Sequence, residues 1–251
     1  MRVTLLGTGT SIPSQHRVQS GILVQIPSGA IMLDVGSGTL FRLNQMQCPV
    51  KSIKHIFITH THVDHCSDLA PLIQTAWMQD YNDTLSIYGP PGIIAWFNEL
   101  MDMVYPYLRS KVKVQVLEEP DRHVVQIGEA TVSTCRTIHG TTNGRAIRID
   151  HGGKSLVFSS DTAPSDEVAQ LAAGVDLLIH ECTWCDGNHP PNVHTSPTEL
   201  GVVVNRAKPK AVVLTHMHPE VIEDGERTLA IVKGTSECTV RLGEDLMTID
   251  I

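Results

Sequence analysis

Short apolar runs bounded by turn residues recur along the whole chain. They predict strands at 2–6, 22–26, 30–34, 55–59, 85–88, 112–117, 124–127, 131–137, 145–150, 155–159, 176–181, 211–215 and 246–250. Each run is rich in Val, Ile, Leu or Thr, side chains that fit a pleated and partly buried surface. Between several of them, apolar positions fall at helical spacing and predict helices at 67–79, 91–105, 165–173, 197–207 and 219–233. The helix at 197–207 has a defined start: Ser196 as N-cap, Pro197 in the first position and Glu199 in the third make a capping box. Strands come first and helices are interleaved later, so the pattern predicts mixed sheets covered by helices, an α/β or α+β architecture. No low-complexity stretch, charge block or Pro/Gly-rich linker divides the chain, and residues 1–251 read as a single domain.

Two segments echo one another. IKHIFITHTH (53–62) and PKAVVLTHMH (209–218) are each a basic residue near an apolar strand that ends in T-H-x-H, and IMLDVGSG (31–38) resembles LVFSSDTA (156–163). Two such halves would deliver polar side chains at the carboxyl ends of their strands, and the ground between them is a natural place for a site.

Composition narrows the classes. Apolar residues make up 41% and charged residues 18%, which fits a packed globule and excludes a disordered tail. Nineteen basic against 27 acidic side chains give a charge of −8, which argues against a uniformly basic nucleic-acid binder. The apolar runs are too short to span a bilayer, and the N-terminus lacks the apolar core of a signal peptide, so a cytoplasmic protein without membrane contact is expected. The six cysteines are expected to be reduced and mostly buried, with Cys182 and Cys185 a pair of core thiols. Gly7-Thr8-Gly9 lacks a third glycine, and Ile12 and Pro13 stand where a helix should open, so no dinucleotide site is expected.

The 13 histidines are the anomaly, because they cluster in polar segments that follow apolar strands. Thr59-His60-Thr61-His62-Val63-Asp64-His65 packs three imidazoles and a carboxylate into the six residues from His60 to His65. Neutral imidazole and carboxylate are N and O ligands for borderline divalent metals. His60 and His62, two apart, can point the same way from an extended segment. Asp64 and His65, after a turn, can face a second ion. Four ligands from one loop would crowd a single tetrahedral ion with an open position, so two ions are expected. A solvated polar loop would need no such density of ligands. His139, Asp161 and His216 each follow an apolar strand, where a strand would deliver a ligand.

This H-x-H-x-D-H signature resembles that of the metallo-β-lactamase fold superfamily. The resemblance covers nearly the whole chain: LLGTGTSIP (5–13), IMLDVGSGT (31–39), IFITHTHVDH (56–65), SIYGPPG (86–92), FSSDT (158–162), LIHECTW (178–184) and VVLTHMHP (212–219) follow the order of its ribonuclease Z-like branch. It implies a four-layer αββα sandwich and two divalent ions, zinc first, with manganese or iron as alternatives. By resemblance His60, His62 and His139 hold the first ion, Asp64, His65 and His216 the second, and Asp161 bridges them. His180-Glu181-Cys182-Thr183 and His194-Thr195-Ser196 stand where that branch has two further motifs, with Cys182 replacing a small residue and Thr and Ser swapped. They imply that Glu181 orients His194, whose ring protonates the leaving oxygen. Asp64, Glu181 and His194 make up the implied catalytic set. Asp34 is expected to orient loops around the metals, His218 not to ligate, and His16, His55, His123, His151 and His189 to be ordinary.

Such a site is hydrolytic, and the branch favours phosphodiester cleavage. Members that process tRNA precursors carry an arm between the residues matching His139 and Asp161, where this chain has only 21 residues, two predicted strands and the turn HGGK. The cluster Arg109, Lys111 and Lys113 reads as a solvated strand edge. Small or short phosphodiesters, cyclic nucleotides among them, are therefore the expected substrates, with long nucleic acid disfavoured. The alternatives are a sulfate ester or lactone hydrolase on the same metals, a tRNA 3′-processing endonuclease, and a non-hydrolytic metal protein. A diiron oxygen-reducing relative would carry Glu where this chain has His62. The resemblance also admits a homodimer.

Overall fold

The computed structural model describes residues 1–12 and 14–251, so Pro13 and the reading that rests on it lie outside the described residues. The strands form two seven-stranded sheets. The first contains β1 (Arg2–Gly7), β2 (Gly21–Ile26), β3 (Gly29–Leu33), β4 (Ile53–Phe57), β5 (Thr84–Gly89) and β6 (Lys113–Glu118) in that order. The second contains β7 (Val124–Ile127), β8 (Ala130–Arg136), β9 (Arg145–His151), β10 (Lys154–Phe158), β11 (Leu177–Glu181), β12 (Ala211–Thr215) and β13 (Thr239–Leu242), again in chain order. The last strand, β14 (Thr248–Asp250), pairs with β1 at the edge of the first sheet. Each sheet is antiparallel on one side and parallel on the other: β3 to β6 run parallel in the first, β10 to β13 in the second.

Alternation along the strands builds three apolar layers. Ile31 and Leu33 of β3 enter the middle layer between the sheets, where they meet Phe57, Ile147, Phe158 and Ile179, while Ala30 and Met32 face outward. On that outer face lie α1 (Thr39–Gln45), α3 (Leu69–Met78) and α4 (Ile93–Glu99), through Leu43, Leu72, Ile73 and Phe97, with the short α2 (Val63–Cys66) between α1 and α3. On the outer face of the second sheet lie α5 (Asp166–Leu171), α6 (Pro197–Ala207), α7 (Pro219–Glu223) and α8 (Gly225–Lys233), through Ala169, Leu200, Val203, Val221 and Val232. The result is the αββα sandwich. Covering both faces is why the strands read as unbroken apolar runs, and each fully buried Leu or Ile contributes roughly 1.5–3 kcal/mol.

Several elements depart from the sequence pattern. Helix α1 and strand β13 were not legible in it. The helix read at 67–79 starts at Leu69 behind the separate turn α2, and the one read at 91–105 changes at Leu100–Val104 to a wider π turn. The helix read at 219–233 is broken at Asp224, and the last strand starts only at Thr248, after Leu246 at φ 67°. Cys182 is buried but Cys185 is exposed, so they are not both core thiols. Arg109, Lys111 and Lys113 are exposed, as read, and Lys113 opens the edge strand β6, while Arg109 and Lys111 precede it and lie over the rings of Phe97 and Trp77 at 5.7 and 4.6 Å. The stretch from His139 to Asp161 is, as read, a hairpin of β9 and β10, turned by Gly152 and Gly153 at φ 60° and 74°, the signature of a type I′ turn. Among the described residues no helix is long and apolar enough to cross a membrane.

Candidate metal centre

The centre is assembled where strands of both sheets end. Just past β3, β10 and β12, three non-glycine residues adopt left-handed backbone: Asp34 (φ 61°), Ser160 (φ 54°) and His216 (φ 51°). Such conformations cost on the order of 1 kcal/mol or more each and persist where neighbours enforce them. After β4 the chain bends at Thr59 and reaches His62, whose backbone is extended (φ −64°, ψ 146°), and α2 then opens. The change of conformation separates two pairs of side chains: His60 and His62 precede the helical turn, Asp64 and His65 lie on it. Gly36 lets the loop after β3 pass this turn closely, since a Cβ there would stand 2.0 Å from the Asp64 carbonyl oxygen.

Asp161 Oδ2 lies at the middle. The Nε2 atoms of His65, His216, His139 and His60 stand 3.4, 3.6, 3.7 and 4.0 Å from it. His216 Nε2 is also 3.2 Å from Asp64 Oδ2, and His139 Nε2 is 3.3 Å from His62 Nδ1. A tetrahedral ion with bonds of about 2.1 Å separates its donor atoms by roughly 3.4 Å, so the spacing fits side chains that share cations. Among the described residues the buried Nε2 atoms of His60 and His65 have no hydrogen-bond partner, a costly arrangement unless something else occupies them. His60, His62 and His139 form one group able to hold a metal ion, Asp64, His65 and His216 another, and His60, His65 and Asp161 a third that joins them. All seven residues read as ligands come together here.

The other nitrogen of each ring is held. His65 Nδ1 meets Asp34 at 2.6 Å, His139 Nδ1 the Val193 carbonyl at 2.7 Å, His216 Nδ1 the Thr183 hydroxyl at 2.9 Å and His60 Nδ1 the Thr59 hydroxyl at 3.2 Å. Fixing Nδ1–H in this way leaves Nε2 as the lone-pair donor toward a metal. Asp34 thus bonds the His65 ring directly, and also accepts from Thr59 N and Oγ1 and from Ser20. Burial, followed by the charge on His65, pushes the His60 imidazole well below its ordinary range, so it stands neutral. Burial alone would raise the Asp161 carboxyl, but the imidazoles of His216 and His65 hold it well below the usual carboxylate range.

Beside this cluster sits a second one. Glu181, at the end of β11, is fully buried and accepts from Thr162 N, Thr183 N, Thr183 Oγ1, Thr195 N and His194 Nδ1. Five donors replace the water it gave up. The His194 contact is 2.7 Å, which leaves Nε2 of that ring uncommitted to Glu181. Burial lowers the His194 pKa, but the hydrogen bond and charge of Glu181, with Asp161 beyond, more than reverse this, and the net direction is upward. The ring lies against those of His139 and His216, at centroid distances of 4.8 and 5.4 Å. The loop carrying it is pinned by the Ser196–Glu199 capping box, present as read.

His218 stands apart from these groups, bonded to Glu220 at 2.7 Å. His189 is not isolated: it stacks with Trp184 at 6.5 Å, and Trp184 meets His194 edge-on at 5.4 Å. The pattern gave no warning of Thr142, 3.3 Å from His62 Nε2, or of Thr183. A lone threonine carries no metal-ligand signal, and only the fold says which ring it will meet.

The family described as anti-Pycsar protein Apyc1 matches residues 1–232. A ribonuclease Z from Methanosarcina acetivorans is 26% identical, over all of this chain and 98% of its own. Among solved structures, the metallo-β-lactamase fold protein YhfI from Bacillus subtilis superposes with a TM-score of 0.85 at 24% identity, covering 99% of this chain and 98% of that one. The short form of human tRNase Z superposes with a TM-score of 0.79 at 25% identity, over 100% and 99% of the two chains.

Proposed function

The chain belongs to the anti-Pycsar protein Apyc1 family and is a metal-dependent hydrolase of the metallo-β-lactamase fold, ribonuclease Z-like branch, and from that premise we propose that it is a phosphodiesterase for small substrates. The observation that carries this reading is one carboxylate oxygen ringed by four imidazole Nε2 atoms, with a glutamate-held imidazole alongside.

Two divalent ions held by His60, His62, Asp64, His65, His139, Asp161 and His216 would supply water acidified to nucleophilic strength at neutral pH and would neutralise charge on phosphoryl oxygens. Zinc suits the mixed N and O donors, and manganese or iron are admissible. His194 gives the departing oxygen a proton from Nε2, while Glu181 keeps the proton on Nδ1 in place and favours the charged ring. Asp34, Thr59 and Thr183 hold ligand rings in the tautomer that leaves Nε2 toward the centre.

Three features support a small substrate. The His139–Asp161 segment is a tight hairpin with no room for an arm. The net charge of −8 offers little counterion release against a long polyanion. Arg109 also pairs with Asp102 at 3.2 Å, which spends part of the one basic cluster. Cyclic nucleotides and short diesters are the favoured class.

The test is a parallel assay of the zinc- or manganese-loaded protein on a 3′,5′-cyclic nucleotide, bis(p-nitrophenyl) phosphate, an aryl sulfate, a lactone and a precursor tRNA. Diesters should turn over, and His194→Ala should lower cyclic-nucleotide turnover about 10²–10⁴-fold. The nitrophenyl diester should suffer less, because its leaving group needs little protonation. Preferred turnover of the lactone or sulfate, indifferent to the variant, overturns the reading.

A further inference from the structure

We propose that Thr183 is a positioning residue that ties the His216 imidazole to the acid imidazole of His194 through the Glu181 carboxylate, so that ligand and acid are set as one unit. The proposal rests on the hydrolase reading above.

Hydrogen counting carries it. His216 Nε2 faces Asp64 and Asp161 at 3.2 and 3.6 Å; with a cation held among them Nε2 would be the lone-pair atom, and the ring hydrogen would sit on Nδ1, where Thr183 Oγ1 stands 2.9 Å away to accept it. A hydroxyl has a single hydrogen to give. Two acceptors compete for it at 2.7 Å, Glu181 Oε2 and the His216 carbonyl oxygen. The carboxylate makes the stronger bond. The other carboxylate oxygen, Oε1, receives His194 Nδ1 at 2.7 Å. An unbroken line of donors therefore runs from His216 to Glu181, where it meets His194, and Glu181 and Thr183 are both buried.

The same unit stands a second time across the centre. Asp34 receives His65 Nδ1 directly at 2.6 Å and the Thr59 hydroxyl at 3.0 Å. That hydroxyl in turn stands 3.2 Å from His60 Nδ1. Each buried carboxylate holds one imidazole directly and another through a threonine. In the Asp34 unit both rings belong to the metal-facing set. In the Glu181 unit one ring does, and the other is the acid. Thr59 directly precedes the ring that it holds, whereas Thr183 reaches His216 from the end of the neighbouring strand. The two units thus differ in what the threonine links: two ligands in one, a ligand and the acid in the other.

Four proteins separate these roles: wild type, Thr183→Val, which keeps the shape without the hydroxyl, Thr183→Ser, which restores the hydroxyl, and Thr59→Val. Zinc affinity is read by competition with a chromophoric chelator. The ratio of cyclic-nucleotide to bis(p-nitrophenyl) phosphate turnover is read at saturating zinc, and the downfield proton of His194 Nδ1–H by NMR. Thr183→Val should bind zinc about tenfold more weakly, lower the ratio and shift the proton, with all three returning in Thr183→Ser. Thr59→Val should weaken zinc but leave the ratio and the proton where wild type has them. Unchanged affinity, ratio and proton in Thr183→Val overturn the proposal, as does an equal change of ratio in Thr59→Val. If wild type binds zinc yet cleaves neither diester, the phosphodiesterase reading falls, and the proton alone then decides for or against the Thr183 link.

Discussion

At the scale of single residues, the centre works by dividing labour within each imidazole. One nitrogen is fixed by a carboxylate, hydroxyl or carbonyl so that the other is aimed. His194 differs from its neighbours in having Glu181 at hydrogen-bond distance, and that contact raises its pKa against the effect of burial. The acid is useful while protonated, so cyclic-nucleotide turnover should fall as pH rises through this raised value. Glu181→Gln removes the charge that raises it, and the alkaline limb of the pH–rate profile should move to lower pH; a limb that stays put would separate Glu181 from the acid step. Away from the centre, Asp176 before β11 accepts from Lys210 at 2.9 Å and from Ser155 N, with Lys154 nearby. The Lys210 hydrogen bond above all pulls its carboxyl down to about 2. A carboxyl depressed on folding contributes stability above its unfolded value near 4, and that contribution is lost as pH falls toward 2. Asp176→Asn should cost about 1 kcal/mol at neutral pH, discounted for the exposed lysine, and the cost should vanish in acid melts.

At the scale of elements, ligand placement depends on where strands stop. β10 and β12 end in turns with left-handed backbone at Ser160 and His216, β4 in the segment that leads to α2, and each is followed within a few residues by a side chain proposed as a ligand. Helix α6 has the matching task for the acid. Its capping box ties Ser196 N to Glu199 at 2.9 Å, only two residues after His194. Glu199→Ala, which removes that bond, should destabilise the protein by about 1 kcal/mol and, by loosening that loop, depress cyclic-nucleotide turnover more than nitrophenyl turnover; denaturant melts and the two assays check both. The elements that the pattern did not disclose are short or at edges. α1 is seven residues long with two buried, too brief for a helical stripe, and β13 is a four-residue edge strand with Thr239 and Arg241 exposed. The break at Asp224 and the π turn at Leu100 interrupt helices whose apolar spacing continues across them.

At the scale of the whole molecule, two half-parallel sheets bring carboxylates and imidazoles from distant segments into one buried cluster. Burial would lower the His65 pKa, yet Asp161 and Asp34 hold it well above the ordinary value, so the metal-free ring keeps a proton that a bound cation must displace. Zinc affinity should therefore weaken steadily as pH falls, and a chelator should lower Tm by an amount that grows with the zinc occupancy lost; pH-independent affinity would mean that His65 is not a ligand. In the sequence, the apolar runs pointed to mixed sheets covered by helices, because strands covered on both faces read that way, while the αββα order and the seven side chains that meet at the centre followed from the resemblance that the H-x-H-x-D-H signature carries. Tertiary structure alone decided which nitrogen of each ring points inward, that Thr183 meets His216, and that Trp184 stands edge-on to His194. Those facts depend on contacts between neighbouring strands and loops, whose register no spacing along one chain encodes.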